Sequence, residues 1–91
     1  MNSRITERFR KALADLPKKV RRQARGAYRL FRQNPNHPSL RFKQVHPVRG
    51  IHSVRVSLDY RALGVRDKDE IVWFWIGSHA DCDSLLARLS R

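Results

Sequence analysis

Ile71-Val72-Trp73-Phe74-Trp75-Ile76 is a run of six apolar residues, preceded by Arg66-Asp67-Lys68-Asp69 and followed by Gly77-Ser78. β-branched and aromatic side chains between two turn signals predict a strand. Successive side chains of a strand point to opposite faces, so a strand apolar throughout is covered on both sides and lies in the middle of its sheet. The same run is far too short to span a membrane.

Working outward, the preceding segments alternate. His52-Ser53-Val54-Arg55-Val56-Ser57-Leu58 places Val54, Val56 and Leu58 inward and Ser53, Arg55 and Ser57 on the other face. Leu40-Arg41-Phe42-Lys43 alternates as well, and Tyr60 to Val65 forms a further strand. His46-Pro47-Val48-Arg49-Gly50 reads as a connecting loop. Connections this short join antiparallel neighbours, because parallel pairs need a long crossover. The expectation is a four-stranded antiparallel sheet over 40–77.

Helical spacing occupies the two ends. Ile5, Phe9, Ala12, Leu13 and Leu16 predict a helix over 3–16, broken at Asp15-Leu16-Pro17. Pro17 suits the first turn of a second helix, which runs to Gln33 and is stopped by Asn34-Pro35. On that helix Val20, Ala24, Ala27 and Phe31 form an apolar stripe, and Lys18, Arg22, Arg25, Arg29 and Arg32 form a basic rail about 200° away. Ser78 followed by Asp81 opens a last helix that buries Leu85, Leu86 and Leu89. Asp81 and Asp83 suit its N-terminal dipole, and Arg88 and Arg91 its C-terminal one. The predicted architecture is a single α+β domain over 1–91: a helical hairpin (3–33), the sheet (40–77) and a short C-terminal helix (79–90).

Composition narrows the function. Ninety-one residues with 41% hydrophobic and 31% charged side chains make one small globule and exclude disorder. Twenty Lys and Arg against eight Asp and Glu give a net charge of +12, which calls for a polyanionic partner. The charge is uneven: +9 over 1–34, +5 over 35–66 and −2 over 67–91. Like charges spaced along the rail repel one another, so an acidic or phosphate-bearing surface is the natural occupant; an ordinary solvated face is the alternative. The single cysteine, Cys82, allows no internal disulfide, and the first residues carry no apolar leader, so a reducing cytoplasm is the expected setting.

A second basic set lies on the sheet. Arg55, Arg61, Arg41 and Lys43, with Ser53 or Ser57 hydroxyls and His79 after the last strand, suit a phosphodiester: guanidinium forks bind phosphate oxygens, and imidazole moves protons near neutral pH. Structural roles are equally open at this point. His79 could cap or pack at the strand–helix junction, Arg61 could pair with Asp59 or Asp67, and Trp73, Phe74 and Trp75 read as core. His37 and His46 precede prolines, a turn signature, and no spacing of histidine and cysteine suggests a zinc site. No metal and no small-molecule cofactor is expected.

Taken in order, Phe9 through Leu40-Arg41-Phe42-Lys43, Ser53-Val54-Arg55-Val56, Asp59-Tyr60-Arg61-Ala62-Leu63 and Trp73-Phe74-Trp75-Ile76-Gly77-Ser78-His79 resemble the RelE/ParE superfamily of bacterial toxins from type II toxin–antitoxin systems. The resemblance covers nearly the whole chain, and its most specific part is the "YRAL" strand followed by "WFWIGSH". It implies an endoribonuclease that cuts mRNA in the ribosome by attack of a 2′-hydroxyl on the adjacent phosphate, with basic side chains in place of a metal. Arg55 would then activate or stabilise the attack, Arg61 would hold the scissile phosphate, and His79 would be the general acid or base. The resemblance also implies a cognate antitoxin protein that lays an acidic segment on the basic surface. One departure stands out: many relatives carry an aromatic residue shortly after the histidine, where this chain has Cys82, and a thiol offers no stacking surface. The same fold serves gyrase-poisoning toxins without nuclease residues, so gyrase inhibition is an alternative, as is a non-catalytic RNA- or ribosome-binding module acting through the rail.

Overall fold

The computed structural model describes residues 1–90. Arg91, assigned above to the last helix's dipole, lies outside the described residues. Five strands form one sheet: β1 (Asn2–Ile5), β2 (Lys43–His46), β3 (Ile51–Arg55), β4 (Tyr60–Asp67) and β5 (Glu70–Ser78). Their order is β1-β5-β4-β3-β2. Helices α1 (Glu7–Ala14) and α2 (Lys18–Gln33) precede β2, and α3 (His79–Leu89) follows β5. No helix among the described residues is long and apolar enough to cross a membrane.

The sheet corrects the predicted one in number and direction. It has five strands, and β1 runs parallel to β5, from Asn2 opposite Glu70 to Ile5 opposite Trp73. Short connections do make β2 to β5 antiparallel, but the extra partner arrives from the far end of the chain. Ile5 is in phase with both a helix and a strand, so its spacing alone does not separate the two. Thr6 ends the ambiguity: its Oγ1 accepts a hydrogen bond from the Phe9 amide at 3.1 Å and caps α1, so the helix starts at Glu7 and not at residue 3. Trp73 Nε1 then donates to Ser3 Oγ at 2.9 Å, and Arg4 pairs with Glu70, fixing β1 beside β5.

The two faces of β5 are covered as its sequence requires. On one face Phe9, Ala24 and Phe31 of α1 and α2 pack with Val54, Ala62 and Trp73. On the other, Ile51 and Leu63 pack with Cys82 of α3, flanked by Leu85, Leu86 and Leu89. The α1–α2 connection is held by Arg21, whose Nη1 donates to the carbonyls of Ala14 (3.2 Å) and Leu16 (2.8 Å). Pro17 stands one residue before α2, as its N-cap, and Asn34 closes the helix by donating to the Leu30 carbonyl.

Two local expectations fail. Leu40-Arg41-Phe42-Lys43 is not a strand: Pro38–Leu40 is a single 3-10 turn, Arg41 closes it with φ 47°, and β2 starts at Lys43. The proline fixes the turn geometry that the short alternation concealed. Leu58 does not face inward; β3 ends at Arg55, and Leu58 is 71% exposed in the turn that follows. Gly50 closes the β2–β3 turn at φ 64°, where a Cβ would meet the Arg66 carbonyl at 2.9 Å. His46 is buried, with Nε2 3.1 Å from the Leu89 carbonyl, which ties the end of α3 to the sheet edge.

Candidate functional site

The β3–β4 ladder ends with Arg55 directly opposite Arg61, and the β4–β5 ladder continues that row to Gly77. Direct cross-strand partners project from the same face. The neighbouring row runs from Lys43 through Ser53 and Leu63 to Trp75. Leu63 packs against α3, so both rows belong to the α3 side of the sheet.

Arg61 does not pair with Asp59 or Asp67. Its Nη1 instead donates to three carbonyls of the β3–β4 turn: Ser57 at 2.8 Å, Tyr60 at 3.0 Å and Leu58 at 3.4 Å. One edge of the guanidinium is thereby fixed, and no hydrogen bond among the described residues engages Nε or Nη2. Neither Arg55 nor Arg61 has a carboxylate partner among the described residues. Both residues are half-buried and in register, and like charges on directly opposite strand positions are destabilising, so an anion bound beside them would be favourable.

His79 is brought to the same end of the sheet. Ser78 Oγ accepts from the Asp81 amide at 3.0 Å and caps α3, so Ser78 takes the capping role that His79 could have had. The His79 amide donates to the Asp59 carbonyl at 2.7 Å, which joins the start of α3 to the turn that holds Arg61. Its ring is half exposed, with Nε2 3.6 Å from Asp83 Oδ2 one helical turn on. The imidazole is thus neither packed in the core nor capping a helix, and it is free to meet a ligand.

Cys82 lies beneath, 3% exposed. Burial pushes its thiol up, the Asp83 carboxylate adds to this, and Arg61 pulls it back in part. The thiol feels the Arg61 charge but is closed to solvent, which leaves it no stacking surface and disfavours the reactive thiolate. The remaining sequence candidates divide. Lys43 is exposed on the edge strand, in register with Ser53, but Ser53 is only 6% exposed and offers little hydroxyl surface to a phosphate. Arg41 is not on a strand at all; it stands exposed on the left-handed residue after the 3-10 turn.

The rail residues Lys18, Arg22, Arg25, Arg29 and Arg32 are all exposed and, among the described residues, none forms an ion pair. Arg25 and Arg29 border an apolar cavity of about 330 Å³ between α2 and the sheet, whose walls include Phe9, Phe31, Val56 and Trp73. Arg55 also borders a second cavity beneath α2, with Gln23, Leu30 and Ser57. A third cavity, of about 530 Å³, opens between the end of β5 and α3. It went unnoticed in the sequence because its walls come from Tyr60, Trp75 and one side of α3, which were read separately as strand, core and helix. Among the described residues no cluster of three His, Cys, Asp or Glu side chains forms that could hold a metal ion.

A family model describing a ParE-like toxin domain matches residues 18–82, and the chain belongs to that family, within the RelE/ParE superfamily. No curated protein sequence matches the chain. Among solved structures it is similar to YafQ from E. coli, with 13% identity, TM-score 0.70, and 89% of this chain and 96% of that one covered. It is also similar to the RelE–RelB complex from Pyrococcus horikoshii (17% identity, TM-score 0.67, 85% and 92% covered). The YoeB/ParE toxin from Agrobacterium tumefaciens is a third (10% identity, TM-score 0.66, 87% and 99% covered). At these identities the likeness is one of fold.

Proposed function

We propose that this toxin is an endoribonuclease that cleaves mRNA on the ribosome and is silenced by a cognate antitoxin. The observation that carries the reading is the Arg55–Arg61 register pair, unpartnered by any carboxylate among the described residues, beside the turn whose Asp59 carbonyl accepts from the His79 amide. A phosphodiester brings the negative charge that this pair lacks. In the reaction, the 2′-oxygen attacks the adjacent phosphorus and loses its proton, while the 5′-oxygen of the next nucleotide leaves and gains one. The products are a 2′,3′-cyclic phosphate and a 5′-hydroxyl. His79 handles one of the two protons, and Arg61 and Arg55 stabilise the charge that develops on the phosphate oxygens. Pre-set donors of this kind account for roughly 10²–10³ in rate each.

The antitoxin part of the proposal draws on the neighbours, one of which is a RelB–RelE antitoxin–toxin complex from Methanococcus jannaschii. The unpaired rail of α2 supplies a surface for an acidic segment.

Expression of the wild-type chain with end-mapping of cellular mRNA tests the reaction: cleavage inside coding regions, leaving cyclic-phosphate ends, is expected. Arg61→Ala should remove both cleavage and growth arrest while the protein still folds. Wild-type toxicity in a folded Arg61→Ala chain would overturn the assignment. The ParE-like family match favours a second reading, inhibition of DNA gyrase. Trapped gyrase–DNA complexes with intact mRNA would establish that reading instead.

A further inference from the structure

The cavity between α2 and the sheet lies on the face opposite the Arg55–Arg61 row, and it exists because small residues meet there. Ala24 and Ala27 of α2 line it together with Val54, Ala62 and Ile76, which are cross-strand partners on β3, β4 and β5. Three alanines at a helix–sheet interface leave the space that larger side chains would fill. Its volume of about 330 Å³ falls within the range of small-molecule sites. The walls are hydrocarbon. Apart from arginine, the two wall residues with polar side-chain atoms have already used them: the Tyr28 hydroxyl donates to the Ser3 carbonyl at 3.4 Å, and Trp73 Nε1 donates to Ser3 Oγ at 2.9 Å. The exposed residues of the wall are Arg25 and Arg29, so the cavity opens to solvent beside them. They stand one helical turn apart on α2, and among the described residues neither forms an ion pair.

This combination selects one kind of occupant. A peptide segment or a polar ring inside the cavity would leave its own N–H and C=O groups unpaired, because the wall side chains within offer them no partner. A hydrocarbon meets no such cost. A neutral hydrocarbon, however, uses neither guanidinium, and a cationic amphiphile is repelled by both. An anionic head on a single apolar tail uses everything present: the tail fills the space, and a carboxylate at the mouth accepts paired N–H bonds from a guanidinium. Size sets the tail. A cavity of about 150 Å³ holds benzene, so one of about 330 Å³ holds an alkyl chain of roughly eight to twelve carbons. A single leucine or phenylalanine side chain offered by a protein partner fills only part of it, and a double-tailed lipid exceeds it.

We propose that this cavity binds a medium-chain fatty acid, with the alkyl tail between α2 and the Val54–Ala62–Ile76 row and the carboxylate on Arg25 and Arg29. The site lies on the other face of the sheet from Arg55 and Arg61, so it stands or falls separately from the RNA reading. It also divides the rail: Arg25 and Arg29 border the cavity, whereas Lys18, Arg22 and Arg32 do not.

The test is a calorimetric titration of the full chain with hexanoate, octanoate and decanoate, each below its micelle concentration. Decanol and decyltrimethylammonium serve as the neutral and cationic counterparts. Decanoate is expected to bind as one molecule per chain, with affinity rising about three- to fourfold per added methylene along the series. It should bind about tenfold or more tightly than decanol, and the cationic amphiphile should not bind. Arg25→Gln with Arg29→Gln, both at exposed positions, should weaken decanoate binding about tenfold or more. Arg22→Gln with Arg32→Gln, on the same rail but off the cavity wall, should leave it within about twofold. Ala24→Leu, which fills the cavity from inside, should abolish binding in a chain that circular dichroism shows to be folded. If that variant does not fold, the two arginine pairs decide alone. Many molecules bound per chain, or equal losses in the two arginine pairs, would mark adsorption to a basic surface and overturn the proposal. No saturable binding of decanoate at millimolar concentration, or equal affinity for decanol, would overturn it as well.

Discussion

Arg55 and Arg61 face one another across the β3–β4 ladder, in register, with no carboxylate partner among the described residues. Like charges placed directly opposite on a sheet lower stability, and a domain of this size has little to spare. The rail of α2 repels itself in the same way, but along an exposed helix, where solvent screens it more fully.

Arg55→Thr should therefore separate stability from function. Removing one cation of the pair, and placing a β-branched residue at the end of β3, should raise unfolding stability by about 0.2–1 kcal/mol. Growth arrest should fall at the same time. Urea unfolding and a growth assay on the same variant check both halves, and a loss of stability would show that Arg55 serves the fold.

His79→Ala should leave the fold almost unchanged. The ring is half exposed, and its contact with Asp83, at 3.6 Å, is a surface pair. Such pairs contribute about 0–1 kcal/mol. The amide hydrogen bond to Asp59 survives the substitution. Cleavage should drop by roughly 10²–10⁴ if the imidazole moves a proton in the reaction. Circular dichroism with heating, alongside mRNA end-mapping, separates the two effects.

Phe31→Ala should be among the most damaging single changes. Phe31 is 2% exposed and meets Phe42 edge-on at 5.0 Å and Trp73 at 5.3 Å between ring centroids. Loss of a buried phenyl costs about 3–5 kcal/mol. Under that much loss the helix pair should detach from the sheet, read as a sharp fall in thermal midpoint and faster proteolysis within α2.

Cys82 gives stability a dependence on alkaline pH. The unfolded chain releases the thiol proton near about pH 8.5, whereas the folded chain holds it to higher pH because burial and Asp83 disfavour the thiolate. Its contribution is complete below the unfolded thiol's range and is lost as pH rises through the folded one. Wild-type stability should decline as pH rises above the free thiol's range, with Cys82→Ala showing a shallower slope from a lower starting value. Alkylation of the folded protein by iodoacetamide should be slow until denaturant is added.

Much of this was legible in the sequence where one pattern dominated. Ile71 to Ile76 announced a doubly covered strand, and Ser78 with Asp81 marked the start of α3. The errors fell where two patterns shared the same residues. Ile5 fits a helix and a strand equally, and only the Thr6 cap and the distant Trp73 decide between them. Leu40 to Lys43 alternates over too few residues to outweigh the proline-directed turn before it. The site shows the same division. Arg55, Arg61 and His79 were visible as residue types along the strands, but Tyr60, Trp75 and one side of α3 become one cavity only after the chain has folded. Arg61's grip on the turn carbonyls was likewise invisible, since any backbone can supply them.

The parallel pairing of β1 with β5 sets a timetable for the newborn chain. β1 is made before the other strands of the sheet, yet its partner strand is not finished until Ser78. Contacts so far apart in sequence are slow to close, and α1 and α2 have time to form before them. Until β5 emerges, Ser3 has no Trp73 to accept from and the Arg61 row has no Gly77 to end on. The site is therefore complete only once β5, the last strand of the sheet to be made, has joined the others.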